Sequence, residues 1–124
     1  MEKCILVIDD ERITQKLLTV HFQKLGFAVM VATTVQEAFE LLRTERFDLI
    51  TCDWMMPEVN GLEFLECIQK NAELQTIPVV MVSAASEEDE LSQAFALGAA
   101  GIVRKPFSAS DLKAMLENIL GAEL

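Results

Sequence analysis

Five polar side chains stand directly after short apolar runs, and their types suit chemistry on a phosphoryl group. They are Asp9, Asp10, Asp53, Ser83 and Lys105. Three carboxylates meeting in one place would repel one another and raise one another's pKa unless a cation neutralised them. Oxygen ligands with room for water favour Mg²⁺. A lysine would add a positive charge, and a serine hydroxyl would donate a hydrogen bond to an anionic oxygen. This set predicts a phosphoryl site, in which a carboxylate can itself be the nucleophile.

Each of these residues also has a simpler interpretation. Asp9 and Asp10 would suit the N-terminus of a helix, where acidic side chains interact favourably with the helix dipole. Asp53 would suit the start of a loop, because Pro57 and Gly61 are turn residues. Ser83 would be ordinary in a loop and Lys105 ordinary on a surface. The functional hypothesis therefore depends on whether the fold brings the five together.

Five apolar runs predict the strands that would carry these residues. They are continuous rather than alternating, which is typical of strands covered on both faces. The runs are Cys4 to Ile8, Ala28 to Ala32, Leu49 to Cys52, Val79 to Val82, and Ala100 to Val103.

Segments between these runs repeat apolar residues at helical spacing. The pattern is clear at Val35, Ala38, Phe39 and Leu42, at Leu91, Ala94 and Phe95, and at Leu112, Met115, Leu116 and Ile119; it is weaker in the stretches Glu11 to Leu25 and Gly61 to Ala72. Capping pairs predict the helix starts: Thr34 with Glu37, Ser86 with Asp89, Ser108 with Asp111, and more loosely Asn60 with Glu63. Glycines that can close a last turn follow three of the helical patterns: Gly26, Gly98 and Gly121.

The alternation of strands and helices predicts one α/β domain over residues 1–124. Strands separated by helices require parallel crossovers, which gives a three-layer α/β/α sandwich. Of the two common doubly wound arrangements, five strands suit the flavodoxin-like order 2-1-3-4-5. In that order the carboxyl ends of the strands meet at one rim. All five polar residues are expected there.

Composition narrows the partners and the compartment. The chain has a formal net charge of −10, with 52% hydrophobic and 24% charged residues. Such an acidic, globular chain would repel nucleic-acid phosphates and anionic membrane surfaces. It has no apolar run long enough to span a bilayer, and Met1 to Lys3 lead into an apolar stretch without a cleavage signature, so we expect a cytoplasmic protein.

Other residue types that could do chemistry have simple interpretations. Cys4, Cys52 and Cys67 lack metal-ligand spacing and are expected to be buried, reduced thiols. The single histidine, His21, falls on the first predicted helix and is expected to be exposed or half-buried. The acidic cluster from Glu87 to Glu90 is interpreted as the solvated start of a helix, with a role in partner binding as the alternative.

Four motifs taken together resemble the signature set of response-regulator receiver domains, which act in bacterial two-component signalling. These motifs are Asp9-Asp10, Asp53-Trp54-Met55-Met56-Pro57 with Gly61, Ser83-Ala84, and Lys105-Pro106-Phe107. Each motif is weak alone, but four in the right order form a specific signal. The resemblance extends over the whole chain.

The resemblance implies a role for each matching residue. Asp53 would accept a phosphoryl group from a phosphohistidine of a sensor histidine kinase or phosphotransfer protein. Mg²⁺ would be bound by Asp10, Asp53 and the backbone carbonyl of Met55, with Asp9 acting through a water. Lys105 would pair with the phosphoryl group, and the Lys105-Pro106 bond would be cis.

The signal would leave the site through a switch formed by Ser83 and Lys105, with Ala84, Ile102 and Pro106 as the other switch and output residues. The output surface would comprise the fourth helix, fifth strand and fifth helix, and would bind a downstream protein or a fused output domain. The oligomeric state would be a monomer or a phosphorylation-dependent dimer. Such a domain is a signalling protein rather than an enzyme, although it assists its own phosphorylation and slow dephosphorylation.

Three positions matter for how this chain compares with the family pattern: one differs from it, and two affect how fast the phosphate is hydrolysed. Ile102 stands where many receivers have Tyr or Phe, so an aromatic side-chain rotation cannot accompany the switch here. Met55 and Ala85 stand where receivers tune hydrolysis, and neither side chain can hydrogen-bond an attacking water. They predict a comparatively long-lived aspartyl phosphate.

Two other classes of function are weighed: a binding module of the same fold, and a true enzyme that is either a phosphatase or an electron carrier. A receiver-like module that is never phosphorylated would bind a partner constitutively, and the presence of Asp9, Asp10, Asp53 and Lys105 argues against it. A phosphatase of the haloacid dehalogenase type would need Asp-x-Asp after the first strand, where this chain has Asp9-Asp10-Glu11. A flavodoxin-like electron carrier would need a phosphate-binding loop rich in Ser, Thr or Gly after the first strand, and the sequence has none there.

Overall fold

The computed structural model describes residues 3–56, 60–84, 88–121 and 124. Within them lie strands β1 to β5 and helices α1 to α5, which alternate along the chain. The strands are β1 (Cys4–Ile8), β2 (Ala28–Ala32), β3 (Leu49–Asp53), β4 (Val79–Ser83) and β5 (Gly101–Arg104). The helices are α1 (Arg12–Lys24), α2 (Val35–Thr44), α3 (Gly61–Gln69), α4 (Glu88–Ala96) and α5 (Ala109–Leu120).

The five strands form one parallel sheet in the order β2-β1-β3-β4-β5. This confirms the predicted flavodoxin-like topology. β1 and β3 are neighbours although β2 lies between them in the sequence, and this reversal of direction places a crevice beyond their carboxyl ends.

Two apolar cores, one on each face of the sheet, hold the helices. On one face, Leu18 and Phe22 of α1 pack with Leu112 and Leu116 of α5. The opposite face carries α2, α3 and α4, through Ala38, Phe64, Leu65, Ile68 and Ala94. The sheet is therefore the middle layer of a three-layer sandwich, as predicted.

Burial differs between the central and the edge strands. Every residue of β3 and β4 is buried, whereas β2 is mostly half-buried and Val31 is exposed. β5 is also only partly buried. The expectation that all five strands are covered on both faces is therefore wrong for β2 and β5, because edge strands have a neighbour on one side only.

Most of the predicted helix boundaries are confirmed by their caps. The side chains of Thr34, Asn60 and Ser108 accept backbone hydrogen bonds at the starts of α2, α3 and α5, and Ser108 with Asp111 forms a full capping box. Three glycines follow α1, α4 and α5 with φ of 94°, 102° and 67°: Gly26, Gly98 and Gly121. Ser86 lies outside the described residues, and α3 ends at Gln69, earlier than the expected Ala72.

The three cysteines are free thiols in different surroundings. Cys52 is fully buried, and burial raises the pKa of its thiol well above the ordinary value. Cys4 is half-buried, and Cys67 is exposed on α3, so the expectation of three buried thiols is wrong for Cys67. Its position falls between Phe64, Leu65 and Ile68, which face the core from the other side of the helix.

His21 is half-buried on α1, which confirms the expectation that it would be exposed or half-buried. Among the helices formed by the described residues, none has the length and apolar character needed to cross a bilayer.

Candidate functional site

Three aspartates converge at the carboxyl ends of β1 and β3. Ile8 pairs with Cys52, so the residues that follow, Asp9 and Asp53, lie side by side at the rim. Each of Asp9, Asp10 and Asp53 offers a carboxylate oxygen, and these oxygens all lie within 4.8 Å of one another. Asp9 and Asp53 are buried, whereas Asp10 is exposed. The cluster can hold one small cation that remains accessible from solvent.

Lys105 brings a positive charge to the same cluster from the end of β5. Its Nζ atom lies 3.6 Å from Oδ1 of Asp53 and 3.8 Å from Oδ2 of Asp9. The lysine side chain is mostly buried, so these contacts are screened less than a surface ion pair would be. Lys105 therefore partly neutralises the two buried carboxylates.

Ser83 and Lys105 are connected through the main chain. Ser83 ends β4 and is 1% exposed, and its carbonyl accepts a hydrogen bond of 2.8 Å from the backbone N–H of Lys105. The bond between Lys105 and Pro106 is cis, as the family resemblance implies. The expected switch residue and the expected phosphoryl-binding residue thus lie at adjacent strand ends.

Burial makes the two inner carboxyl groups resist ionisation. Desolvation raises the pKa of Asp9 from 3.8 to about 6, with Asp53 and Asp10 raising it further and the Glu11 backbone N–H and Lys105 opposing. Desolvation also raises the pKa of Asp53, against the opposing charge of Lys105 and a backbone hydrogen bond from Met55. One ammonium group does not offset the burial of these carboxylates.

The hydrogen bonds of Asp9 leave one of its oxygens open. Oδ1 accepts a hydrogen bond of 2.8 Å from the backbone N–H of Glu11, just before α1 begins. Oδ2 is buried and, within the described part of the chain, has no hydrogen-bond partner. Asp9 therefore holds the backbone just before α1 but does not cap the helix, which has no side-chain cap hydrogen bond and no acidic residue in its first turn. Its Oδ2 atom has the 3.8 Å ion pair with Lys105 but no hydrogen bond to the described residues. An all-oxygen donor set with an unsatisfied carboxylate oxygen fits Mg²⁺.

The backbone after Asp53 is held close to the neighbouring strand. Trp54 donates its N–H to Val82 O at 3.0 Å and accepts from the Gly61 N–H at 2.9 Å, while the Met55 N–H lies 3.4 Å from Oδ1 of Asp53. A Cβ atom on Gly61 would lie 2.6 Å from the carbonyl oxygen of Asp53. Glycine is therefore required for this close approach. Pro57 lies outside the described residues.

The remaining predicted residues lie around this centre. Ala84 and Pro106 are exposed at the rim, and Met55 is exposed with 74% of its surface accessible. Ile102 is half-buried and packs against the core beneath α2, α3 and α4. Trp54 is only 5% exposed and belongs to that core, so it is a core aromatic rather than a lid over the site.

Gln15 and Thr33 also contact this rim, although neither residue was predicted from the sequence. The Gln15 side-chain amide donates to the backbone carbonyl of Asp9 and lies 3.5 Å from Oγ1 of Thr33. No sequence motif marks this pair, because the contact links a helix to a loop that is distant along the chain. Its only signal is a polar residue on the first turns of the helix that follows Asp9-Asp10.

Comparison with known proteins identifies the family. The profile of the response regulator receiver domain matches residues 5–117. The chain is 32% identical over 118 residues to the phosphate regulon transcriptional regulatory protein PhoB of Pseudomonas aeruginosa, covering 95% of this chain and 52% of that protein. The chain spans about half the length of that relative and of other regulators it matches.

Two further similarities extend over nearly the whole of both chains. The chemotaxis protein CheY of Pseudomonas aeruginosa is 32% identical over 116 residues, covering 93% of this chain and 94% of that one. The crystal structure of the phosphorylated cyanobacterial phytochrome response regulator RcpA superposes with a TM-score of 0.84 at 26% identity, covering 97% of this chain and 95% of that chain. With its sheet order and its cluster of aspartates at the carboxyl ends of β1 and β3, this chain belongs to the response-regulator receiver domains of two-component signalling.

Proposed function

We propose that this chain is a phosphoacceptor domain in which Asp53 receives a phosphoryl group in a Mg²⁺-dependent reaction. The observation that carries the proposal is the meeting of three aspartate carboxylates and one lysine ammonium at a single rim. Structural roles for the individual residues do not account for this meeting, because burying like charges together is unfavourable unless a ligand offsets it. RcpA, a receiver of similar fold, is phosphorylated.

Asp53 supplies the nucleophile. A carboxylate oxygen of Asp53 attacks the phosphorus of a phosphohistidine on a sensor histidine kinase or phosphotransfer protein. A P–O bond forms, the P–N bond breaks, and the imidazole nitrogen leaves with the electron pair of that bond. The Met55 N–H and Lys105 fix the orientation of the Asp53 carboxylate, so that little rearrangement is needed for attack.

Asp10, Asp53 and the carbonyl of Met55 would hold Mg²⁺ directly, and Asp9 would act through a water. When bound, the ion supplies positive charge to the carboxylates and to the phosphoryl oxygens. Lys105 supplies a positive charge from the end of β5, and the Ser83 hydroxyl would donate a hydrogen bond to a phosphoryl oxygen. Such positioning and charge stabilisation is most of what phosphoryl transfer requires.

The buried position of Ser83 supports its role as a switch. Because its carbonyl already binds the Lys105 N–H, a rotation of the Ser83 side chain toward a phosphoryl group would pull on the segment after β4. That segment leads into α4 and then β5, which are part of the proposed output surface together with α5. The exposed side chain of Met55 offers no hydrogen bond to a hydrolytic water, which supports a long-lived phosphate; Ala85 lies outside the described residues.

The partners in this proposal are a kinase or phosphotransfer protein on one side and a downstream protein or fused output domain on the other. A net charge of −10 argues against direct contact with nucleic acid. A cytoplasmic location, a single domain over residues 1–124, and a monomer or phosphorylation-dependent dimer complete the proposal.

Trp54 fluorescence tests it, because this buried tryptophan follows Asp53 directly. The protein is titrated with Mg²⁺ and then with beryllofluoride, a mimic of a phosphoryl group. We expect a change at each step for the wild type and no beryllofluoride response for Asp53→Asn. Glu66→Gln, which removes one exposed charge on α3, is the matched control and should behave as wild type. A wild type that does not respond, or a variant Asp53→Asn that responds equally, would support the constitutive binding module instead.

A further inference from the structure

Gln15 connects two loops at the rim of the sheet. It lies in α1, one turn after the helix begins, and its side chain turns back toward the carboxyl ends of β1 and β2. The amide nitrogen donates to the Asp9 carbonyl and lies 3.5 Å from the hydroxyl of Thr33, which follows β2. A side-chain amide has two N–H donors, so one nitrogen can serve both acceptors.

The position of the Asp9 backbone carbonyl affects the geometry of the acidic cluster. The Asp9 N–H already donates to Ala32 O at 3.1 Å, so Gln15 fixes the second polar group of the Asp9 backbone. The peptide unit that contains the Asp9 carbonyl also contains the nitrogen of Asp10, and this unit is planar. Holding the carbonyl therefore sets the direction in which the chain continues to Asp10, whose side chain is exposed and less restrained by packing.

Thr33 is itself held from the other side. Its backbone N–H donates to Oε1 of Glu37 at 3.1 Å, and Glu37 lies in the first turn of α2, which Thr34 caps. The start of α2, Thr33, Gln15 and the Asp9 carbonyl thus form one continuous series of hydrogen bonds. An amide suits this place because it donates without bringing a charge close to three carboxylates.

We propose that Gln15, supported by Thr33, is a positioning residue that sets the geometry of the Asp9-Asp10 pair for a divalent cation. The proposal rests on the function proposed above, because it assumes that the aspartate cluster binds Mg²⁺. It assigns no contact between Gln15 and the ion. Gln15 instead affects the orientation of the Asp10 carboxylate relative to the bound ion.

The test measures Mg²⁺ affinity and stability separately. Wild type, Gln15→Leu and Gln15→Met are titrated with Mg²⁺. Binding is followed by Trp54 fluorescence and by the ligand-dependent rise in Tm, and the unfolding of the metal-free proteins is measured with urea. We expect Gln15→Leu to weaken Mg²⁺ binding about threefold to tenfold, the range for one lost hydrogen bond. Gln15→Met, which is also uncharged and lacks an N–H donor, should weaken binding to the same extent. Gln23→Leu, an exposed glutamine on the same helix, is the matched control.

Thr33 provides a second, independent test. Thr33→Ala should weaken Mg²⁺ binding in the same direction, whereas Thr33→Ser, which keeps the hydroxyl, should not. The double variant of Gln15→Leu and Thr33→Ala should bind Mg²⁺ no more weakly than Gln15→Leu alone, because the two residues act through one connection.

The outcomes separate this proposal from the proposed function. If the wild type binds Mg²⁺ and Gln15→Leu binds it equally well, the positioning role is wrong while the phosphoacceptor function stands. Loss of stability in Gln15→Leu without loss of affinity would likewise reduce Gln15 to a structural residue. If the wild type binds no Mg²⁺, both proposals fail.

Discussion

The ammonium nitrogen of Lys105 lies 3.6 Å from Oδ1 of Asp53, although β4 separates their strands in the sheet. The lysine side chain spans the end of β4 at Ser83, whose carbonyl accepts the Lys105 N–H. The positively charged side chain of the site therefore comes from the end of β5, while its negatively charged side chains come from the ends of β1 and β3. Asp53 at the end of β3 is thus linked by an ion pair to Lys105, and Lys105 is linked by a backbone hydrogen bond to Ser83 at the end of β4.

The stability of the metal-free protein should fall as the pH rises from about 4 to about 6. Burial raises the pKa of Asp9 to about 6 in the folded state, while an aspartate in an unfolded chain titrates near 3.9. In that interval the folded state binds more protons than the unfolded state, so deprotonation favours unfolding. Urea unfolding across this range in a chelating buffer measures the effect.

Asp9→Asn is the comparison for this pH dependence. It keeps an oxygen that can accept from Glu11 but removes the buried charge. We expect it to be more stable than the metal-free wild type by about 3 kcal/mol at most at pH 7, at roughly 1.4 kcal/mol per pKa unit, with little difference near pH 4. Equal pH dependence in the two proteins would show that Asp9 is not the titrating group.

Replacing Lys105 with an uncharged side chain should strengthen Mg²⁺ binding. In Lys105→Met, two carboxylates lose the ammonium group that lies 3.6 and 3.8 Å away, so the site becomes more negative. At the partly solvated rim, we expect the dissociation constant for Mg²⁺ to fall roughly threefold to tenfold, which corresponds to about 1 kcal/mol of charge interaction. Isothermal titration calorimetry with MgCl₂ measures it.

The same variant should lose much of its response to beryllofluoride, because one partner of the phosphoryl group is gone. Lys113→Met removes the same charge from an exposed position on α5 and should leave both properties unchanged. A weaker affinity for Mg²⁺ in Lys105→Met would mean that the lysine supports rather than opposes cation binding.

Gly61→Ala should destabilise the protein and disturb the site. The new Cβ would lie 2.6 Å from the Asp53 carbonyl oxygen and 3.1 Å from the Cα of Trp54, which are backbone atoms that cannot rotate away. We expect a loss of roughly 1–3 kcal/mol in the free energy of unfolding, the usual range for overpacking, together with weaker Mg²⁺ binding.

Gly101→Ala is the matched control for that substitution. Its Cβ would lie 3.0 Å from the end of the Ile119 side chain, which can move, and in ordinary contact with Val80 at 3.9 Å. Its effect should be clearly smaller in the same urea experiment. Equal effects at the two glycines would contradict the close approach of α3 to the backbone at Asp53.

A phosphoryl mimic should change amide exchange between Ala84 and Ile102. This segment follows Ser83 and includes α4, so a movement of Ser83 toward the mimic would alter its hydrogen bonds. Hydrogen–deuterium exchange with and without beryllofluoride measures the effect, and α2 provides an internal reference that should not change. Unaltered protection from Ala84 to Ile102 would remove the proposed output route.

The fold could be predicted from the sequence because its strongest signals are local and repeated. Continuous apolar runs defined all five strands to within one residue, and the side chains of Thr34 and Ser108 marked helix starts that the structure confirms. The exposure of β2 and β5 could not be derived in the same way. Val31 lies in an apolar run like any other, and only the order of strands makes it an edge residue.

The site was predictable to the extent that its residues stand at strand ends. Asp9, Asp53, Ser83 and Lys105 meet because parallel strands end at the same rim. Gln15 could not be found this way, since its contact with Asp9 depends on the angle at which α1 packs on the sheet. Which oxygen of Asp9 lacks a hydrogen bond to the described residues likewise depends on the folded arrangement rather than on residue type.

Mass spectrometry of the intact protein after incubation with acetyl phosphate and Mg²⁺ tests the phosphoacceptor role most directly. We predict that the wild type gains the mass of one phosphoryl group, that peptide mapping locates it on Asp53, and that chelating the metal prevents it. Asp53→Asn should gain no such mass. A wild type that stays unmodified, or a phosphoryl group that appears equally in Asp53→Asn, would contradict the account.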